Sequence, residues 1–255
     1  MSRIRWLLPF LIAPLVVSPA LMFAAERQAP VRGHVIPYVI VHDARGGIPG
    51  PPGGGPTPPP TDHTTHYVLL PGARSSSAVT YVVEDPGIAG AVSAVQSSFD
   101  AWNAASGIAF SFGGTASVNP NVEIAGPNGT NTVSWALLVG SWTNALAVTI
   151  SWIDDDNGNN TWDAGEEILE SDLLFNSKYK WAVDPDGEGP AKPAVNGKWY
   201  DIQNVGTHEA GHFVGLDDQN FWDDETMFYA AAAKETKKRS LEPGDIAGAQ
   251  ALYGP

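Results

Sequence analysis

The stretch His208-Glu209-Ala210-Gly211-His212-Phe213-Val214-Gly215-Leu216-Asp217-Asp218 holds the residues best spaced for chemistry, in the pattern H-E-x-x-H-x-x-G-x-x-D. On a helix, residues four apart share a face, so His208 and His212 can aim both imidazoles at one metal ion. Glu209 sits beside the first of them, within reach of water held at the metal. Gly215 can adopt positive φ and let the chain leave the helix sharply, and that turn can return Asp218 as a third ligand. Two His, one carboxylate and one open position form the ligand set of a catalytic zinc ion. The plainer reading of the same residues is an amphipathic helix with two solvated histidines.

A site of this kind needs a scaffold, and the chain has room for one. Its 255 residues allow one substantial domain plus appendages, and its hydrophobic content of 43% is ordinary for a globular protein. It has no Cys, which rules out disulfides, thiolate metal sites and a Cys nucleophile. The formal charge of −14 argues against a basic nucleic-acid surface, and the run Lys234 to Arg239 reads as a solvated loop face. Arg3 and Arg5, the apolar run Trp6 to Val17 and the small residues Ser18, Ala20, Ala24 and Ala25 read as a secretory signal peptide over 1–25. Pro9, Pro14 and Pro19 interrupt that run, so it is no membrane span. The expected product is secreted, extracellular and monomeric.

Residues 26–63 read as a Pro/Gly-rich linker or short propeptide. Gly46 to Pro60 holds Gly, Pro and little else and cannot bury a core, whereas Val35 to Val41 is apolar enough to pair with something. His34, His42, His63 and His66 fall in or next to this region and read as exposed loop histidines, with inhibitory metal capture by one of them as the other possibility. Ala78 to Val83 has the β-branched and aromatic content of a strand. Asp85-Pro86 reads as a helix N-cap and first turn, followed by Ile88, Val92, Val95, Phe99 and Trp102 at helical spacing up to Gly107. Strands are expected at Ile108 to Phe112, Val122 to Ala125, Thr132 to Val139 and Leu146 to Ile153. A strand, a helix, several strands and then closing helices argue an α+β domain.

Asp155 to Glu166 fits a twelve-residue calcium loop. Asp155, Asn157, Asn159, Asp163 and Glu166 supply oxygens at positions 1, 3, 5, 9 and 12, and Thr161 would supply its carbonyl at position 7. Asn160 holds position 6, where a left-handed turn is needed. The alternative is an acidic Asn/Gly-rich turn without an ion.

Beyond these spacings, Asp201-Ile202-Gln203-Asn204-Val205-Gly206-Thr207-His208-Glu209 resembles the active-site helix of the matrixin-type zinc metallopeptidases, which are metzincins. Glu170 to Asn176 resembles the strand before that helix, Phe99-Asp100-Ala101-Trp102-Asn103 the first helix, and Leu241 to Gly254 the closing helix. The resemblance covers about residues 64–255. It implies a metzincin-type catalytic domain, α+β, with a mixed twisted sheet packed on two long helices plus a C-terminal helix. Met227 would be the Met-turn beneath the metal, and Phe228 and Tyr229 would line the substrate pocket. An extended protein or peptide substrate would lie along a sheet edge near Leu146 to Ile150. The departure is the third ligand: matrixins normally have His where this chain has Asp218, and H-E-x-x-H-x-x-G-x-x-D is the snapalysin-type pattern. Asp217 falls one residue short of that spacing. With no His between Tyr67 and Thr207, the family's structural zinc is expected to be absent, and without Cys so is its cysteine-switch latency.

The expected activity is that of a secreted zinc endopeptidase. Zinc on His208, His212 and Asp218 would lower the pKa of water, and Glu209 would act as general base and then return the proton to the leaving amine. Two other classes remain open: a catalytically inactive, calcium-stabilised extracellular binding module, and a zinc hydrolase acting on something other than peptides.

Overall fold

The computed structural model describes residues 34–44, 62–188 and 197–255. The proposed signal peptide and the Gly/Pro run at 46–60 lie outside the described residues. A mixed seven-stranded sheet runs in the order β3-β2-β4-β6-β5-β1-β9. Its strands are β1 (His34–Ala44), β2 (Ala78–Val83), β3 (Ala109–Thr115), β4 (Asn131–Ala136), β5 (Ala145–Asp155), β6 (Glu167–Asn176) and β9 (Ala230–Ala231). The block β3-β2-β4-β6 is parallel; β5 is antiparallel to both β6 and β1; β1 is parallel to β9. A separate parallel pair, β7 (Trp181–Ala182) with β8 (Tyr200–Asp201), leads into the metal-motif helix. This is the mixed α+β architecture expected of a metzincin catalytic domain.

The helices are α1 (Ala91–Asn103), α2 (Pro120–Ala125), α3 (Ile202–Val214) and α4 (Pro243–Tyr253). The core forms where α1 and α3 cross beneath the sheet. Alternation along β2 turns Val79, Tyr81 and Val83 inward. Tyr81 stacks on Phe99 of α1 at 4.0 Å, and Phe99 meets Phe213 of α3 edge-on at 5.2 Å. Trp102 Nε1 donates to the Thr207 carbonyl at 2.8 Å, which fixes α1 against the turn just before His208.

Two local expectations were wrong. The long helix begins at Ala91, not at Asp85-Pro86. Gly87 and Gly90 sit at φ +72° and +80°, which a helix cannot accommodate, and the Asp85 carboxylate accepts the Gly87 N–H in a local turn. Val122 to Ala125 is helical as part of α2, not a strand. Asn119 caps it through Oδ1 and Pro120 opens its first turn, and these signals outweigh two β-branched residues. The run Val35 to Val41 does find a partner: β1 is a full strand of the sheet.

Candidate metal centre

α3 begins where the Asp201 carboxylate accepts the Asn204 N–H at 2.8 Å, a side-chain cap held in turn by Arg239 Nε at 2.9 Å and Nη2 at 2.6 Å. It ends at Gly215, at φ +113°, whose N–H returns to the carbonyls of Gly211 and His212. This is the left-handed exit the sequence implied. The chain leaving it is clamped by Leu70 N–H to Gly215 O and Asp217 N–H to Val68 O, both at 2.9 Å. Buried Arg74 donates to the Phe213 carbonyl at 3.0 Å, satisfying one of the free carbonyls at the helix end.

That frame gathers His208, His212 and Asp218. Asp218 Oδ1 lies 3.1 Å from His208 Nε2 and 3.8 Å from His212 Nε2. Bonds of about 2.0–2.1 Å to a tetrahedral zinc would set such ligand atoms about 3.3 Å apart. Each His is oriented through its other nitrogen. His208 Nδ1 donates to the Thr226 carbonyl and His212 Nδ1 to the Leu216 carbonyl, both at 2.8 Å, which directs each Nε2 lone pair to the same point. Asp217 is turned back locally, its Oδ1 accepting the Asp218 N–H at 2.8 Å.

His208, Glu209 and His212 are fully buried, and the Asp218 side chain is nearly so. Yet His208 Nε2, His212 Nε2, Asp218 Oδ1 and Glu209 Oε1 all lack a hydrogen-bond partner. A buried polar atom left unpaired costs about 1–3 kcal/mol, so four converging ones fit a bound cation and are otherwise a heavy burden on the fold. Burial lowers His208 well below the usual histidine range and His212 to about 4, leaving both neutral and able to donate a lone pair. Burial also raises Glu209 to about 8, with the Asp218 charge adding to it and a 2.6 Å hydrogen bond from Thr149 Oγ1 to Oε2 opposing it.

Met227 sits under the motif helix. A Cβ on Gly211, the residue before His212, would fall 2.2 Å from Met227 Sδ, so the methionine fills the place where any other residue would project. The turn holding Met227 is tied to α4, since Asp245 accepts the N–H groups of Thr226 at 2.8 Å and Met227 at 3.0 Å. A chain of contacts therefore runs from Asp245 through Thr226 to His208. Lys238, also fully buried, donates from Nζ to the Phe228 carbonyl. Burial lowers it to about 8 while Glu235, Asp218, Asp245 and Glu209 favour its charge. The run Lys234 to Arg239 is therefore not simply the solvated loop face expected, because Lys238 and the Arg239 side chain turn inward to a backbone carbonyl and a carboxylate. Thr149 carried no recognisable motif in the sequence, and the resemblance of Leu241 to Gly254 to a closing helix gave Asp245 no role of its own. Phe228 and Tyr229 are partly buried, with ring centroids 4.7 Å apart, directly before β9.

The largest departure from expectation is His42. It is no exposed loop histidine: it is fully buried on β1, with its ring centroid 3.8 Å from that of His208. Its position in the sheet could not be seen from a lone His in an apolar run.

At 155–166 the chain folds as a tight turn with Asn160 at φ +61°, the left-handed position assigned to it. Asp155 accepts the N–H groups of Gly158, Asn159 and Asn160, and Asn157 Nδ2 bridges Asp163 and Glu166. Among the described residues, the groups of His and acids close enough to share an ion are His208–His212–Asp218, His42–His208–Glu209 and Glu123–Glu170–Asp172. The acids of the loop do not form such a group among themselves.

The third group brings the buried carboxyls of Glu170 and Asp172 on β6 together with that of Glu123 on α2. Burial, with the nearby Glu170 charge, raises Asp172 to about 8. An acid whose pKa is raised on folding is penalised once it ionises. The penalty is absent below its unfolded value near 3.8 and complete above about 8. The melting temperature of metal-free protein should therefore fall across this window by more in the parent than in Asp172→Asn. Parallel melting profiles from pH 4 to 8 would show that Asp172 carries no such penalty.

A mixed sheet over two long helices, with the motif helix and its exit loop converging two imidazoles and a carboxylate, defines a class of α+β domain built around one helix that carries a candidate metal site. The chain belongs to the matrixin family, whose model matches residues 77–254. It is similar to Metalloendoproteinase 1-MMP of Arabidopsis thaliana, with 37% identity over 83 residues, covering 32% of this chain and 21% of that protein. The match thus spans about a fifth of the curated relative. The family is one of zinc metallopeptidases. No helix among the described residues is long and apolar enough to cross a membrane.

Proposed function

We propose that this protein is a secreted zinc-dependent endopeptidase. The observation that carries the reading is the convergence of His208 Nε2, His212 Nε2 and Asp218 Oδ1, buried and unpaired, beside Glu209 Oε1. The three would hold zinc, and Asp217 would not. Bound there, zinc supplies Lewis acidity and lowers the pKa of water towards neutrality. Glu209 accepts the proton of the attacking water at Oε1 while Thr149 fixes its other oxygen. It then delivers that proton to the leaving amine. The Nδ1 hydrogen bonds to Thr226 and Leu216 keep both imidazoles in place through the cycle.

An extended protein or peptide substrate pairs with β5 near Leu146 to Ile150, and Phe228 and Tyr229 line the pocket beyond the scissile bond, favouring apolar residues there. The runs at 1–25 support export, and the acidic surface gives nucleic acid no footing. The protein acts as a monomer. Cleavage of casein in the presence of zinc, abolished by chelation, tests the activity; no cleavage even after β1 has been displaced favours the binding-module reading.

Calcium in the loop at 155–166, with Asp155, Asn157, Asn159, Thr161, Asp163 and Glu166 as ligands, is the second part of the proposal. The left-handed Asn160 and the spacing of oxygens support it. Calcium should raise the melting temperature of the parent and raise it less in Glu166→Gln. Equal melting in calcium and in chelator would remove calcium from the account.

A further inference from the structure

β1 lies on the outer edge of β5, antiparallel to it, with Val39 opposite Ile150, Ile40 opposite Thr149, Val41 opposite Val148 and His42 opposite Ala147. That is the edge on which a peptide substrate would add as a strand. Directly opposed residues of an antiparallel pair share a face, so Ile40 and His42 project on the same side of the sheet as Thr149, whose hydroxyl holds Glu209. The register slips immediately after His42, a local irregularity of the kind that re-aims a side chain. Beyond the slip, Asp43 and Ala44 pair with β9. The segment therefore runs from the loop at 155–166, where His34 Nδ1 meets Asp155 at 3.0 Å, past Glu209 to the strand that follows Met227.

Of the eleven residues of β1, only Ile40 and His42 are buried, so the strand is anchored shallowly except at these points. Ile40 packs with Leu70 and Ile153. His42 packs with nothing that satisfies it: both ring nitrogens are buried without a hydrogen-bond partner, and Nδ1 lies 3.7 Å from Glu209 Oε1. Its donor atom falls within 4.8 Å of those of His208 and Glu209. That group is distinct from His208–His212–Asp218 but shares His208 with it. A buried ring held at the sheet edge beside His208 and Glu209, with no hydrogen-bond partner for either nitrogen, has the placement of a ligand that can close on the metal.

We propose that His42 is a fourth protein ligand of the zinc, and that β1 is a built-in strand that fills both the open coordination position and the substrate edge. In this state Glu209 faces an imidazole where the attacking water would stand, and β5 has no free edge for a peptide. Release of β1 exposes both together. A histidine would thus perform, in a chain without Cys, the task of covering the metal. This inference rests on the zinc centre proposed above.

The test uses the chain with β1 retained, loaded with cobalt(II) in place of zinc, as the parent, His42→Ala and His42→Phe. The phenylalanine variant keeps a ring in the space and removes both nitrogens, so one soluble, folded variant suffices. The expected result is a visible cobalt spectrum that changes between parent and variants. Acetohydroxamic acid, a bidentate probe of open metal positions, should bind at least tenfold more tightly to the variants, and peptide hydrolysis by the zinc forms should rise at least tenfold. Identical cobalt spectra and hydroxamate affinities, with one cobalt bound per chain, would overturn the role of His42 and leave the zinc centre standing. Failure of the parent to bind cobalt, or binding unaffected by loss of His208 and His212, would overturn both.

Discussion

Replacing Glu209 by Ala should abolish peptide cleavage while leaving the metal bound. Loss of a positioned general base costs about 10²–10⁴-fold in turnover, and the other carboxylate of the site, Asp218, is directed at the two Nε2 atoms and so is committed to the metal position. Glu209 Oε1 has no hydrogen-bond partner, so truncation breaks no bond at that atom, and only the Thr149 hydroxyl is left to find a new acceptor. The fold should therefore survive. Because β1 restrains the parent, turnover is compared in both the parent and the His42→Ala background. If casein cleavage by the Glu209→Ala forms equals that of their Glu209 counterparts, the base has been misassigned. A tenfold or smaller loss in Thr149→Val, with zinc unchanged, would match its role in orienting the carboxylate.

Asp218→Ala should release zinc, and Asp217→Ala should not. The two acids are adjacent in sequence, and the positive φ at Gly215 with the clamp from Val68 and Leu70 sends them different ways. Asp218 Oδ1 approaches both Nε2 atoms, whereas Asp217 accepts a backbone N–H. Losing even an outer partner of a metal ligand commonly costs about 10–100-fold in affinity, so losing one of the ligands should cost more. The measurement is a zinc competition titration against a chromophoric chelator. A larger loss in Asp217→Ala than in Asp218→Ala would reverse the assignment. An anionic third ligand also leaves the site with more negative charge than an imidazole would. Lys238 is buried nearby, with its charge favoured by Asp218 and Glu209.

The convergence of the candidate metal ligands was legible because helical periodicity alone brings His208 and His212 together, and a glycine three residues later supplies the exit. Local rules of this kind act within a few residues. They also placed β2, β5 and the body of α1, where alternation or a run of apolar residues at helical spacing is unbroken. They failed where turn chemistry competes with propensity, as at Asn119-Pro120 and at Gly87 and Gly90. They could not foresee what strand pairing decides at long range. Nothing near His42 in sequence says that it lies opposite Ala147, and nothing near Asp245 says that it holds the amides of Thr226 and Met227. The sequence resemblance pointed to Leu146 to Ile150 as a substrate edge, and only the fold reveals that the chain's own β1 lies along that stretch of β5.

The most direct test of the metal centre is the zinc content of the purified protein set beside that of His208→Ala/His212→Ala. The reading predicts about one zinc per chain in the parent and none in the double variant, with the variant still folded by far-ultraviolet circular dichroism. One tightly bound zinc in both, or none in either after exposure to zinc, would contradict it.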